Sequence, residues 1–391
     1  MTGTDLAASA RKVKGAQLAV AVTFFVHGLL FASWAAHIPH VKAHLGVDDG
    51  TLGLALLGAP VGSVSAIGLA AYLVPRIGSR RLVAAALVGY CASGPFVGIA
   101  GSVPALFLAL FFWGFFQGSL DISMNTQAIT VERVKQRPLM NGMHASWSIG
   151  AFAGAGIGTL AVALGVTLSR QLLVLGTVAL LVAGWLSLRM LPDPPHDAAK
   201  ARAEHGRQIS PAMLLLGAVA FASMLTEGAA ADWSSVYLRD SLGSSAAVSG
   251  LGYTAFALAM VGVRLFGDRL LERFPAHELL PALALLTTVT FAAALVIGTV
   301  PAGVAAFFVL GLGVGTVVPT AFSAAGRLPG VHPGVGVAAV SGLGWAGFVC
   351  GPPLIGQLAG ALSLPVALGL VPVLTAVIAL ATRRVTALRP A

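Results

Sequence analysis

Pro192-Asp193-Pro194-Pro195-His196-Asp197-Ala198-Ala199-Lys200-Ala201-Arg202-Ala203-Glu204-His205-Gly206-Arg207-Gln208-Ile209-Ser210 is the one long polar connection in a chain of 391 residues. Three prolines in its first four positions stop the helix before it, and the charged residues that follow have no apolar face to bury. On either side the sequence is a series of apolar runs. Overall 57% of residues are hydrophobic and 9% are charged, against about 45 to 50% apolar and about 25% charged in soluble domains. A soluble fold of this composition could not wet its own surface.

A membrane helix needs about 20 mostly apolar residues. Twelve such runs occur, at 17-38, 51-74, 82-103, 104-130, 143-165 and 171-191 before the polar stretch, and at 211-238, 246-266, 279-299, 302-324, 334-358 and 365-382 after it. The expected organisation is therefore a six-helix half over 1-191, a cytoplasmic linker over 192-210 and a second six-helix half over 211-391. Lys and Arg fix the orientation, because cytoplasmic loops collect them. With the N-terminus inside, only Lys42, Arg170 and Arg239 of the 23 fall in outer loops. Both termini are expected to be cytoplasmic, in a bacterial inner membrane. Arg11, Lys12 and Lys14 precede the first span as they would a signal peptide, yet the run is long and no small-residue cleavage site follows.

The two halves are copies. Adding 197 to a position in the first half repeatedly reaches the same residue type: Leu45-Gly46 to Leu242-Gly243, Gly53-Leu54 to Gly250-Leu251, Arg76 to Arg273, Pro104 to Pro301, Gly114 to Gly311, Gly118 to Gly315, Gly150 to Gly347 and Gly154 to Gly351. The constant offset across several helices carries the argument, since single glycine matches are cheap in a glycine-rich chain. An even number of helices per copy makes the repeats parallel.

The turn after the second span reads Leu73-Val74-Pro75-Arg76-Ile77-Gly78-Ser79-Arg80-Arg81. It resembles the signature loop of the major facilitator superfamily of secondary transporters, of the form Gly-x-Leu-x-Asp-Arg-x-Gly-x-Arg-Arg, with Pro75 at the Asp position and Ala71 at the first Gly. The second copy, Leu270-Leu271-Glu272-Arg273-Phe274, keeps an acid. The resemblance covers essentially the whole chain and implies an inner gate held by charge pairing, here by Arg76, Arg80, Arg81, Asp268, Glu272 and Arg273, leaning on the second copy. Asp121 followed by Asn125, and then Asn141, Gly142, His144, Trp147 and Gly150, resemble the fucose permease branch and its uncharacterised bacterial relatives. In that branch the acid matching Asp121 takes part in proton coupling.

Charges inside a membrane are expensive and mark function by default. Of the 14 acids, only Asp121, Glu227 and Asp232 lie within spans rather than in loops, tails or span ends. Gln117, Asp121 and Asn125 form a polar stripe at i, i+4 spacing, which reads as a proton or substrate site or as a structural hydrogen-bond network. Glu227 is near the middle of the seventh span. Asp232, with Trp233 and Tyr237 nearby, is either a functional acid or a solvated one in an interfacial aromatic belt. His27, central in the first span, is either a proton relay with a carboxylate or a plain core histidine. The expected proton-coupling set is Asp121, Glu227, Asp232 and His27. The expected substrate contacts are Trp34, Gln117, Asn125, His144, Trp147 and Trp345, although packing or lipid contact competes as a reading for each tryptophan. No Lys or Arg occupies the middle of a span, which argues against anionic solutes and leaves neutral or cationic ones.

The sequence thus predicts an all-α integral membrane protein of twelve helices in two parallel repeats, a transporter working by alternating access. Proton-coupled symport of a small neutral polar solute such as a sugar is the first reading. Proton-coupled efflux of hydrophobic or cationic drugs is the alternative, and a non-transporting membrane sensor is the reading from another class. No enzyme is expected, since neither a P-loop nor metal-ligand spacing occurs. Cys91 and Cys350 lie in apolar runs, so no disulfide framework or metal site is expected. The partners expected are a small solute, protons and the lipid bilayer, with no nucleic acid, no cofactor and a monomeric chain.

Overall fold

The computed structural model describes residues 3–136, 139–193, 210–325, 328 and 333–384. Residues 194–209 of the linker, Arg327 and Arg389 lie outside these, as do the side chains of Ala71, Pro75, Asn141, Asp268 and Glu272. All regular structure among the described residues is helical, as it must be where no water is present to satisfy an open strand.

Among the described residues twelve long helices follow one another: α1 Gly3–Ser33, α2 Gly58–Ile77, α3 Ser79–Val97, α4 Val103–Lys135, α5 Met140–Ala163, α6 Leu168–Ala179, α7 Pro211–Val236, α8 Leu251–Arg273, α9 Ala276–Ile297, α10 Val300–Val314, α11 Pro333–Ala361 and α12 Leu370–Arg384. Short helical pieces extend several of them, among them π-turns at Leu180–Gly184 and Tyr237–Ser241 and the helix Val317–Ala325 after α10. Eleven of the resulting segments are long and apolar enough to cross a membrane. The remaining one is α3, whose first turn carries Arg80 and Arg81, so charge at one end dilutes an otherwise apolar helix.

Some helix ends differ from expectation for local reasons. The third and fourth apolar runs were contiguous in sequence, but Ser102 caps α4 by accepting the Ala105 N–H, with Pro104 in the first turn. Pro has no N–H to lose at that position, so it starts a helix well. At the other end α4 runs on to Lys135 and stops at Gln136 in the left-handed region, because charged residues continue a helix as readily as apolar ones.

The described chain divides into two compact units. Unit 1 comprises Met1–His37 and Ala55–His196, and unit 2 comprises Ile38–Leu54 and Asp197–Ala391. Within unit 1, α1 packs on α5, α2 on α4, and α3 on α4 and α6; within unit 2, α7 packs on α11, α8 on α10, and α9 on α10 and α12. The pairing is the same after a shift of six helices. It repeats at atomic detail: a Cβ on Gly114 would lie 2.0 Å from the Ala59 carbonyl oxygen, and one on Gly311 would lie 2.4 Å from that of Phe256. Both glycine and partner obey the 197-residue offset read from the sequence.

Gly150, Gly154 and Gly158 put α5 directly against α1. An added Cβ would meet the carbonyl oxygens of Phe25, Leu29 and Ser33 at 2.0, 2.1 and 2.3 Å. Small residues at this spacing let backbones approach where the lipid supplies no hydrophobic drive.

In unit 2, Ile38–Leu54 is fastened by ions and backbone contacts. Lys42 Nζ lies 2.6 Å from Asp49 and 2.6 Å from Asp240, with its side chain 16% exposed. Gln357 donates to the Gly50 carbonyl at 3.1 Å. Asp48 caps the helix Asp49–Leu56 by accepting the Thr51 N–H at 2.7 Å, and that bond holds its carboxyl below the usual range.

Candidate functional site

Unit 1 gathers a polar and aromatic cluster from α1, α3, α4 and α5. Trp147 Nε1 donates to His27 Nδ1 at 2.7 Å, which leaves Nε2 as the ring's donor in the neutral form. His27 is buried, and Nε2 has no hydrogen-bond partner; the Gln117 carbonyl bears on the ring without closing a bond of normal geometry. Tyr90, fully buried, lies with its ring 5.8 Å from that of His27 and stacks on Trp113 at 5.2 Å, and Trp113 meets Trp34 edge-on at 6.5 Å. The Tyr90 hydroxyl also lacks a partner. Two buried polar atoms without partners in one aromatic shell are unusual, because each costs free energy unless something meets it.

Four of the expected residues, His27, Trp34, Gln117 and Trp147, therefore converge in unit 1, and Tyr90 joins them. Nothing in the sequence marked Tyr90 beyond a hydroxyl in an otherwise apolar run. His144 is exposed, edge-on to Phe24 at 5.4 Å. On α4, Asn125 Nδ2 donates to the Asp121 backbone oxygen at 2.8 Å and to its carboxylate at 3.2 Å. Gln117 Oε1 accepts from Ser63 Oγ at 3.4 Å. The stripe is half-buried and its hydrogen bonds within the stripe join Asp121 to Asn125.

Unit 2 holds a second cluster, to which an arginine near a span end brings a cation. Arg264 lies in the membrane-capable segment Ala246–Gly267. Its guanidinium is 3.9 Å from the Glu227 carboxylate, with side-chain exposures of 18% and 20%. Arg264 Nε donates to the Gly315 carbonyl at 3.3 Å, which lies at the break between α10 and Val317–Ala325. Ser223 Oγ lies 3.5 Å from the other Glu227 oxygen. Hydropathy locates a residue by its backbone, and a long arginine side chain reaches beyond that level along the helix. The exclusion of anionic solutes for want of a cation therefore falls.

Within its own unit, each of His27 and Glu227 has a partner. His27 accepts from Trp147 and Glu227 pairs with Arg264. Asp232 is half-buried and has no hydrogen-bond partner among the described residues. Its neighbours Trp233 and Tyr237 are buried rather than lipid-facing, so they do not form an interfacial belt. Tyr253 on α8 is buried and stacks on Phe256 at 5.7 Å. Trp345 packs edge-on against Phe348 at 5.8 Å within unit 2.

The gate residues are unevenly placed. Arg76 turns back on its own helix, donating to the Tyr72 carbonyl at 2.7 Å with the guanidinium 3.4 Å above the Tyr72 ring. Arg80 and Arg81 make no ion pair among the described residues, and Arg273 is exposed at the end of α8. The acid bound near this turn is Asp193, which the sequence reading had placed in the linker; it accepts from Ser79. Among the described residues no group of three or more His, Cys, Asp or Glu side chains is placed to hold a metal ion.

A twelve-helix fold of paired six-helix repeats, with ionisable clusters embedded in apolar helices, defines a polytopic membrane transporter. The family model of the Major Facilitator Superfamily matches residues 20–332 and 215–390, and the chain belongs to that family. An uncharacterized MFS-type transporter of Yersinia pestis is 33% identical over 373 residues, 95% of this chain and 96% of that one. Among solved structures, a D-xylose-proton symporter superposes with a TM-score of 0.77 at 13% identity, covering 95% of this chain and 97% of that one. The fucose:proton symporter FucP of E. coli superposes with a TM-score of 0.59 at 15% identity, covering 94% and 97%. At such identities the structures share the fold. The protein is a multi-pass membrane transporter of bacterial type that takes a small-molecule substrate.

Proposed function

We propose that the chain is a proton-coupled symporter of a small neutral polar solute, of the size and chemistry of a sugar, and that Glu227 and Arg264 are the coupling pair. The observation that carries this reading is the pair itself, a carboxylate and a guanidinium at 3.9 Å inside apolar helices. A proton on Glu227 removes the attraction and frees Arg264 for another acceptor, so protonation and rearrangement are linked by electrostatics alone. Asp121, with Asn125 on its carboxylate, is the second candidate proton carrier.

The solute side is supplied by unit 1. Trp147, the half-buried ring of the cluster, offers a flat face to a sugar, while Trp34, Trp113 and Tyr90 pack behind it as a buried aromatic shell; His27 Nε2 and the Tyr90 hydroxyl offer a donor and a donor-acceptor for hydroxyls. A D-xylose-proton symporter, a nucleoside transporter and a fucose:proton symporter share the fold, so the fold accommodates neutral polar solutes of this size. Efflux of cationic drugs rested on an acid-rich lining without a cation, and Arg264 weighs against it. The proposal places the protein in the bacterial inner membrane as a monomer with both termini in the cytoplasm.

The test is the pH inside proteoliposomes when pooled neutral sugars, polyols and nucleosides are added outside with no imposed gradient. Symport predicts internal acidification in the wild type and none in Glu227→Gln. Wild-type vesicles that stay neutral with every pool, yet bind cationic dyes tightly, overturn the reading in favour of efflux.

A further inference from the structure

α3 begins badly for a helix. Its first turn contains Arg80 and Arg81, two cations at the end where the helix dipole favours anions. No acid is near in sequence, since none occurs between Asp49 and Asp121. The structure supplies one from 114 residues away.

Asp193 accepts the Ser79 N–H and, at 2.5 Å, the Ser79 hydroxyl. Gln127 Nε2 on α4 lies 2.7 Å from Ser79 Oγ, 2.9 Å from the Leu191 carbonyl and 3.3 Å from Asp193 Oδ1; Thr130 Oγ1 lies 3.5 Å from the same oxygen. Gln127 is fully buried and its Oε1 has no partner. The protons run one way: the amide of Gln127 donates to the Ser79 hydroxyl, which donates to the carboxylate. Charge-assisted bonds of this kind are the strong ones. The cluster joins α3, α4 and the start of the polar connection, all inside unit 1.

We infer that Asp193 is the positioning residue of the inner gate, holding the α3 turn that bears Arg80 and Arg81 on the inner end of α4, the helix that carries Asp121 and Asn125. Arg76 is engaged with Tyr72, so the gate turn is set from outside itself. Displacement of α4 carries the turn with it through Gln127 and Ser79, and the two move as one piece. This rests on the orientation proposed above, with the turn on the cytoplasmic side.

The test uses full-length protein in vesicles with Cys91 and Cys350 replaced by alanine and Asn125→Cys as reporter, alkylated by a membrane-impermeant maleimide. Asp193→Asn and Gln127→Leu should each raise the rate at least fivefold from the cytoplasmic face, and the double variant no further, because both break one chain. Ser63→Ala, which removes another interhelical bond in the same unit, should leave the rate within twofold. Additive effects of the pair, an unchanged rate in Asp193→Asn, or an equal rise in Ser63→Ala would each overturn the assignment. Labelling only from the external face would instead refute the orientation, so the two failures are distinguishable.

Discussion

Arg264 changes what the embedded charges mean. A lone Glu227 in a span is an acid awaiting a proton, whereas a Glu227 facing a guanidinium is half of a pair. Removing one partner of a buried pair leaves the other uncompensated, which costs roughly 3 to 5 kcal/mol. Water reaches about a fifth of each side chain here, so Arg264→Leu should lower stability by about 3 kcal/mol, the low end of that range. The double variant Glu227→Gln with Arg264→Leu should cost clearly less than the two single losses together, as read from unfolding of the purified protein in detergent. Additive losses would mean that the two residues act separately. Asp121, Glu227 and Asp232 could be found by composition alone, because an acid in an apolar run stands out. Arg264 and Tyr90 could not, because their roles depend on which helix each side chain reaches.

At the level of elements, packing was legible and tethering was not. Glycines four apart on α5 announce a close approach, and the carbonyls of α1 lie where added methyl groups would go. Gly154→Val should therefore force α1 and α5 apart and destabilise by about 1 to 3 kcal/mol, the usual cost of overpacking; a shift in unfolding midpoint measures it, and an unchanged midpoint would contradict the contact. Lys42 was visible only as one of three basic residues in outer loops. In the fold it holds Ile38–Leu54 by its pair with Asp240, while Asp49 belongs to the same segment as Lys42. Asp240→Asn should accordingly raise amide hydrogen exchange across 38–54, and Asp49→Asn should raise it much less. Equal effects would mean that the segment is held by its backbone packing instead. Asp193 sits directly between two of the prolines that end a span, and no local pattern could have said that it caps a helix begun 114 residues earlier.

For the whole molecule, the class follows from quantities a sequence states openly: apolar fraction, run length, the distribution of Lys and Arg and a constant repeat offset. Helix pairing within each unit repeats along with that offset, so duplication of sequence is duplication of packing. The solute is not stated in this way, since specificity depends on pocket shape and on a few placed polar atoms. The central claim is that Glu227 couples protons to transport and does not merely support the fold. Its most direct test compares proton-driven uptake with exchange of the same solute across vesicles at equal pH, in wild type and in Glu227→Gln. The account predicts that the variant loses uptake driven by the gradient while exchange stays within twofold of wild type; gradient-driven uptake that survives in Glu227→Gln would contradict it.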